Sequence, residues 1–342
     1  MTRRIRLAAL VAAAVAVPAA LSGCAASNGA TADQDKVSIV GFSVLKSANE
    51  PIISAFEKTD AGKDVSFTTS YGASGDQARA VIGGLHADEV HLSLEPDMTK
   101  LVDSGDVDKN WNQNATHGIL TDSVVVFLVR KGNPLGIKTW EDLVKPGVKV
   151  ITPNPESSGS AKWNILAAWA HGEHAPGGSD AKAKSFVTDL LHHTIAMPGS
   201  GADALASFLA GNGDVLLAYE NDSIEARASG EDVDYVIPDD TLLIQNPAAV
   251  TTDASPAAKD FLKLQLSNEG QALYAKAGFR PVVDGVKADV PGVETPGDPY
   301  PEVKNLYTLD KDFGGWSQAD PKFFDDDNGI ITKIISGLNI GS

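Results

Sequence analysis

Between residues 36 and 280, short apolar runs alternate with longer stretches in which apolar residues recur every three to four positions. "KVSIVGFS" (36–43) reads as a strand, and "NEPIISAFEKTD" as a helix with Pro51 tolerated in its first turn. The pairing recurs in "DVSFTTSYG" and "GDQARAVIGGLHA", then in "DEVHLSL" and the long apolar run "LTDSVVVFLVRKGNP" (120–134), which stops at Gly-Asn-Pro. "TWEDLVKPG" predicts a short helix and "VKVITPNP" a strand; "AKWNILAAWAHGEH", "DAKAKSFVTDLLHHT" and "ADALASFLAGNG" predict helices. A strand "DVLLAYEN", an extended stretch "VDYVIPDDTLLIQNPAAVTT" and one or two helices over "SPAAKDFLKLQLSNEGQALYAKAG" complete the pattern. This alternation predicts an α/β protein with mostly parallel sheets. Such sheets bind ligands at the carboxyl ends of strands, beside helix N-termini. After Pro281 the chain is rich in Asp, Pro and Gly, yet it keeps Tyr300, Tyr307, Phe313, Trp316, Phe323 and Phe324. That aromatic content predicts a tail packed on the body.

The first residues have another grammar. Arg3, Arg4 and Arg6 precede a small-apolar run, Leu7 to Ala20, which is too short for a comfortable membrane span. Leu21-Ser22-Gly23-Cys24 follows and resembles a bacterial lipobox, with cleavage before Cys24 and acylation of that residue. The expected divisions are a signal peptide over 1–23 and a lipidated polar linker over 24–36. Acyl chains at about 0.8 kcal/mol per buried CH₂ would hold the mature protein at the outer face of the cytoplasmic membrane. Cys24 is the one cysteine, so no intramolecular disulfide can form.

The formal charge is −17, and loss of the three leader arginines makes it three units more negative. That excludes nucleic acid as a partner. It does not exclude an anion. Two unit charges ~20 Å apart in water interact by roughly 0.2 kcal/mol, and salt screens most of that. Hydrogen bonds to a charged group contribute ~1.5–3 kcal/mol each, so a handful of local donors outweighs the distant surface charge.

Three strand-to-helix or loop-to-helix junctions carry serine and glycine: "SYGASGDQAR" with Ser74 and Gly75, "PESSGSAKW" with Ser158, Gly159 and Ser160, and "PGSGADALASF" with Gly201 and Ala202. Any one alone reads as an ordinary helix cap. Three converging on one cleft would offer free N–H groups and about +0.5 of effective charge apiece. Other chemistry is poorly supported. Of the seven histidines, His171 and His174 in "HGEH" and the pair His192-His193 fall in polar helix ends, which reads as solvated surface. No H-E-x-x-H, G-x-S-x-G or P-loop occurs. The aspartates 325–327 read as a solvated turn, and Trp140, Trp163 and Tyr219 as core, with Tyr219 at a strand end that could face a cleft. No catalytic residue, metal site or cofactor is expected.

From about Ile39 to the C-terminus the chain resembles the sulfate-binding proteins of bacterial ABC importers. The resemblance rests on "SYGASGDQARAVIGGLHADEVHLSL", "VVVFLVRKGNPLGIKTWEDLVKPGVKVITPNPESSGSAKWNILAAW", "GDVLLAYEND", "NEGQALYAKAGFRP" and "FGGW". It implies a two-lobed class II periplasmic-binding fold, closing on one dehydrated oxyanion and read when loaded by a permease and its ATPase. It implies lobe 1 over 37–121 plus 243–342, lobe 2 over 122–242, and hinge crossings near Thr121–Ser123 and Thr241–Val250. In the family, main-chain N–H groups, serine hydroxyls and an indole N–H hold sulfate. Carried over by motif, Ser74 matches the serine of the first loop; Ser158, Gly159 and Ser160 match Ser-Gly-Gly; Gly201 and Ala202 match the third loop. Tyr219 stands where the family has tryptophan, and Ser43 roughly where it has aspartate. Ser160 replaces glycine and Asp203 replaces arginine. A site made only of donors would reject an anion carrying a proton, as phosphate does. Asp76 could accept that proton but is expected to cap its own helix. Thiosulfate, phosphate and molybdate are the alternative ligands.

Overall fold

The computed structural model describes residues 35–338. The leader, Cys24 and most of the linker lie outside the described residues. Strand β1 (Asp35–Phe42) begins inside the expected linker, because Asp35 and Lys36 already pair with Val65 and Ser66 of β2 (Val65–Gly72). Helix α1 (Lys46–Phe56) lies between them and α2 (Ser74–Ile82) follows. Next come β3 (Glu89–His91), α3 (Glu95–Ser104) and the long β4 (Ile119–Arg130). Then follow β5 (Val150–Ile151), α4 (Gly159–His174), α5 (Asp180–His192), β6 (Thr194–Ala196), α6 (Gly201–Leu209), β7 (Val215–Tyr219) and α7 (Glu220–Ala228). The extended stretch splits into β8 (Val233–Val236) and β9 (Asp240–Val250). The helical stretch divides into α8 (Pro256–Gln265) and α9 (Asn268–Lys276), because Ser267 accepts from the Gly270 N–H and caps a new helix. The tail holds β10 (Asn305–Tyr307), α10 (Leu309–Phe313), α11 (Trp316–Phe324) and α12 (Ile330–Ser336).

The strands form a mixed sheet in the order β2-β1-β3-β9-β4-β7-β5-β6, with β10 on β9 and β8 on β4. Pairing is parallel at both flanks, where short strands alternate with helices. It is antiparallel in the middle, where β4 and β9 run against each other. Each of these two strands serves both halves. β4 pairs with β9 up to Val124 and with β7 from Val125 onward. β9 pairs with β4 at Leu243–Pro247 and with β3 at Ala248–Val250. Helices cover both faces of β4, so Val124–Val129 are all buried and the run is apolar without alternation.

The tail packs as its aromatics predict. Trp316 meets Trp163 edge-on at 4.8 Å, Phe323 meets Trp169 at 4.7 Å, and Lys162 pairs with Asp320 at 2.6 Å. His171 departs from the solvated placement expected of it. It is 9% exposed, lies over Trp140, and pairs through Nδ1 with Asp240 at 2.7 Å. Both partners come from distant segments, so the local polarity of "HGEH" misleads.

Candidate functional site

The serine-glycine turns meet. α2 begins with Ala73 as its extended cap residue and Ser74 in the first turn, so Ser74 is not the cap. α4 begins after Ser158, whose backbone is extended and whose side chain makes no capping bond. α6 begins after Ser200, whose hydroxyl accepts from the Asp203 N–H and donates to the Asp203 carboxylate. Asp203 is thereby spent on its own helix. The first N–H groups of each helix have no intrahelical partner.

The turns touch through short links. The Gly75 N–H donates to the Ser157 carbonyl at 3.3 Å, joining the start of α2 to the loop before α4. The Ser157 hydroxyl donates to the Gly199 carbonyl at 2.7 Å and the Asn154 N–H to the Pro198 carbonyl at 2.8 Å, joining that loop to the approach to α6. The Ala202 N–H donates to the Ser43 hydroxyl at 3.3 Å. A Cβ built on Gly201 would stand 2.9 Å from the Ser160 hydroxyl, so these two positions are in contact. Ser43, Ser74, Gly75, Ser158, Gly159, Ser160, Gly201, Ala202 and Tyr219 therefore all lie around one junction, and all but Ser43 and Ala202 are buried.

At the centre stands Ser93, which the sequence did not single out. Its N–H donates to the Ser74 hydroxyl at 3.0 Å, and its hydroxyl shares a 2.7 Å hydrogen bond with the Tyr219 hydroxyl. Its carbonyl accepts from Trp163 Nε1 at 2.9 Å and from Asn246 Nδ2 at 2.8 Å. One residue thus ties β3 to the starts of α2 and α4, to the end of β7 and to β9. Asp97, equally unanticipated, is 4% exposed, accepts from the Ser74 hydroxyl at 2.7 Å and pairs with Lys100 at 2.9 Å. Neither residue belongs to a recognisable local motif; "VHLSLEPD" reads only as a strand entering a helix.

Electrostatics follow from burial. Desolvation raises the Tyr219 phenol above its usual range, against hydrogen bonds from Ser93, Asn246 and Ser160, so the hydroxyl keeps its proton and can donate it. Burial raises the carboxyls of Glu220 and Asp222 directly after it, and Arg280 opposes that at Glu220. The Asp76 carboxylate is half-exposed and pairs with Arg79. A hollow of about 350 Å³ opens beside the junction, lined by Ser43, Lys46, Tyr71, Gly72, Asp76, Ser200, Ala202 and Asp203. A second, about 290 Å³, lies on the other side of Ser43 and Ala202, against Asp222 and Glu225. A further hollow, about 760 Å³, shares no lining residue with either. Among the described residues no cluster of His, Cys, Asp and Glu could hold a metal ion.

An α/β body whose sheet is shared by two long strands, with three helix N-termini gathered at one junction, is the architecture of a solute-binding protein. The chain belongs to the bacterial extracellular solute-binding protein family, which it matches over residues 37–280. It is 39% identical to a sulfate-binding protein of Synechococcus elongatus, over 97% of either chain. It is 32% identical to a thiosulfate-binding protein of Pseudomonas aeruginosa, over 84% of this chain and 87% of that one. The solved structure of the sulfate-binding protein SubI from Mycobacterium tuberculosis is 42% identical. It superposes with a TM-score of 0.80 over 85% of this chain and all of that one. Among the described residues no helix is long and apolar enough to cross a membrane.

Proposed function

We propose that this chain is the extracytoplasmic receptor of an ABC importer, that it closes on one tetrahedral oxyanion, and that the anion is sulfate. The observation that carries this reading is the meeting of three helix N-termini, from α2, α4 and α6, in one buried junction. Backbone N–H groups of Ser74, Gly159, Ser160, Gly201 and Ala202, with the Ser158 and Tyr219 hydroxyls, are the donors, while the Gly75 N–H, bonded to the Ser157 carbonyl, braces the junction instead. Helix dipoles and buried N–H groups stabilise a dianion without a counter-cation, and the dry surroundings strengthen each bond. The Ser43 hydroxyl accepts from the Ala202 N–H and would yield it to the anion. The Tyr219 substitution for an indole, and the thiosulfate-binding relative, keep thiosulfate as the second reading.

In this reading residues 37–121 with 243–342 form one lobe and 122–242 the other, and β4 and β9 flex where they exchange partners. Cys24 is the lipid anchor that keeps the receptor beside its permease. The chain has no chemistry of its own to perform; capture and release are its work.

Titration of the delipidated protein with sulfate tests this. Micromolar or tighter binding is expected, since about 8 kcal/mol corresponds to 1 μM and a handful of charge-assisted hydrogen bonds suffices. Competition with thiosulfate, molybdate and hydrogen phosphate ranks the ligands. Absence of heat and of any thermal shift with all four anions would sink the receptor reading.

A further inference from the structure

The Ser74 hydroxyl faces two partners, and both are protein. It donates to Asp97 Oδ2 at 2.7 Å and accepts from the Ser93 N–H at 3.0 Å. A hydroxyl has one hydrogen to give, and this one is given to a carboxylate. Ser74 and Asp97 are 2% and 4% exposed, so bulk solvent does not reach that bond. Lys100 Nζ holds the other oxygen, Oδ1, at 2.9 Å and fixes the carboxylate in place.

We propose that Asp97 is a positioning residue for specificity: by taking the Ser74 proton it withholds that hydroxyl from the bound anion and leaves Ser74 only its backbone N–H to offer. The inference rests on the oxyanion-receptor reading and refines it. The site then has one donor fewer than its serines suggest. In addition, a hydroxyl oxygen that gives its hydrogen to Asp97 and already accepts from Ser93 has no more than a lone pair left to offer an anion. Such an oxygen repels a fully ionised oxygen atom and tolerates one that carries a proton. Asp97 therefore moderates affinity for sulfate and softens discrimination against hydrogen phosphate.

The geometry supplies its own test. In Asp97→Asn, Lys100 keeps the amide oxygen on its side, which turns the amide NH₂ toward Ser74. Ser74 Oγ would then accept from both Ser93 and the amide, and its hydrogen would swing free to the anion. Asp97→Asn is expected to bind sulfate ~10-fold tighter or more, the gain set by one added hydrogen bond to a charged group. Its preference for sulfate over hydrogen phosphate should rise as well, a ratio that a purely structural role would not move. Loss of a negative charge also favours any anion, so the double variant Asp97→Asn/Ser74→Ala decides the cause. It lacks the charge and the hydroxyl alike, and most of the gain should vanish in it. A gain that persists in full comes from charge alone and overturns the proposal, as does a single variant with no gain. Thermal unfolding checks that the variants fold; should Asp97→Asn fail, Asp97→Ala also frees the Ser74 hydrogen and is expected to shift affinity and ratio in the same direction. Wild-type protein that binds no oxyanion at all would overturn the receptor reading itself, an outcome distinct from a wild type that binds and variants that do not differ.

Discussion

Gly159 shows how narrow the tolerance is at single residues. A Cβ there would lie 2.5 Å from the Ser93 hydroxyl, 2.6 Å from its Cβ and 2.7 Å from Leu94 Cδ2. Ser93 cannot retreat, because its N–H, hydroxyl and carbonyl are all bonded. Gly159→Ala is therefore expected to push the start of α4 away from β3 and spoil convergence. Overpacking costs about 1–3 kcal/mol, and we expect sulfate affinity to fall by ~10-fold or more in titration, with a lowered thermal midpoint. Ser160 tells the opposite story, since its side chain does find room beside Gly201 and near the Tyr219 hydroxyl. The glycines and serines of the turns were legible because their chemistry is local. Ser93 and Asp97 were not, because their role arises from partners 19, 23 and 126 positions away, which no local pattern encodes.

Among elements, the start of α7 and the segment after α9 are joined by a buried ion pair. Arg280 Nε and Nη2 hold Glu220 at 2.6 and 3.0 Å, and Glu220 is fully buried directly behind Tyr219. Reciprocal backbone bonds between Arg280 and Asp122 tie the same segment to β4, within the stretch that pairs with β9. Arg280→Met would leave a buried carboxylate without its cation, and the expected loss is about 3–5 kcal/mol of stability in urea unfolding. Glu220→Gln/Arg280→Met should recover part of that loss, since removing both charges is far cheaper than stranding one. At this scale the sequence was most informative. The 12 residues of β4 and the alternating flanks follow from apolar periodicity. Periodicity cannot say that β4 and β9 change partners midway, because either pairing buries the same side chains. It also overstated β5, which pairs over two residues only, since "TPNP" leaves the sheet.

For the whole molecule, the interior of the sheet sets how stability responds to pH. Glu89 and His91 lie two positions apart on β3, hence on one face of the sheet, and both are fully buried. Burial pushes the Glu89 carboxyl from 4.5 up to about 8, against a hydrogen bond from Gln265. Burial pulls the His91 imidazole from 6.5 down to about 3. Glu89 Oε2 and His91 Nδ1 have no partner among the described residues, so neither charge would be compensated. For Glu89 the folded protein keeps a proton that the unfolded chain releases above 4.5. Its contribution is full below pH 4.5 and is lost as pH rises to about 8, at about 1.4 kcal/mol per unit. For His91 the sign reverses: its contribution is full above pH 6.5 and is lost as pH falls toward 3. Between 4.5 and 6.5 these two slopes cancel, and above 6.5 that of Glu89 acts without opposition from His91. Asp122, raised by burial to about 7, adds a decline of the same sign as Glu89. Wild-type stability should thus fall from mildly acidic toward mildly alkaline pH. Glu89→Gln keeps the oxygen that accepts from Gln265 Nε2 and cannot ionise. Its unfolding free energy should gain steadily on the wild type across 4.5 to 8 and stay parallel outside that window. Urea unfolding of both proteins across the window reads this directly. A constant difference throughout would mean that Glu89 holds its charge inside the sheet, which its unpartnered oxygen gives it no means to do.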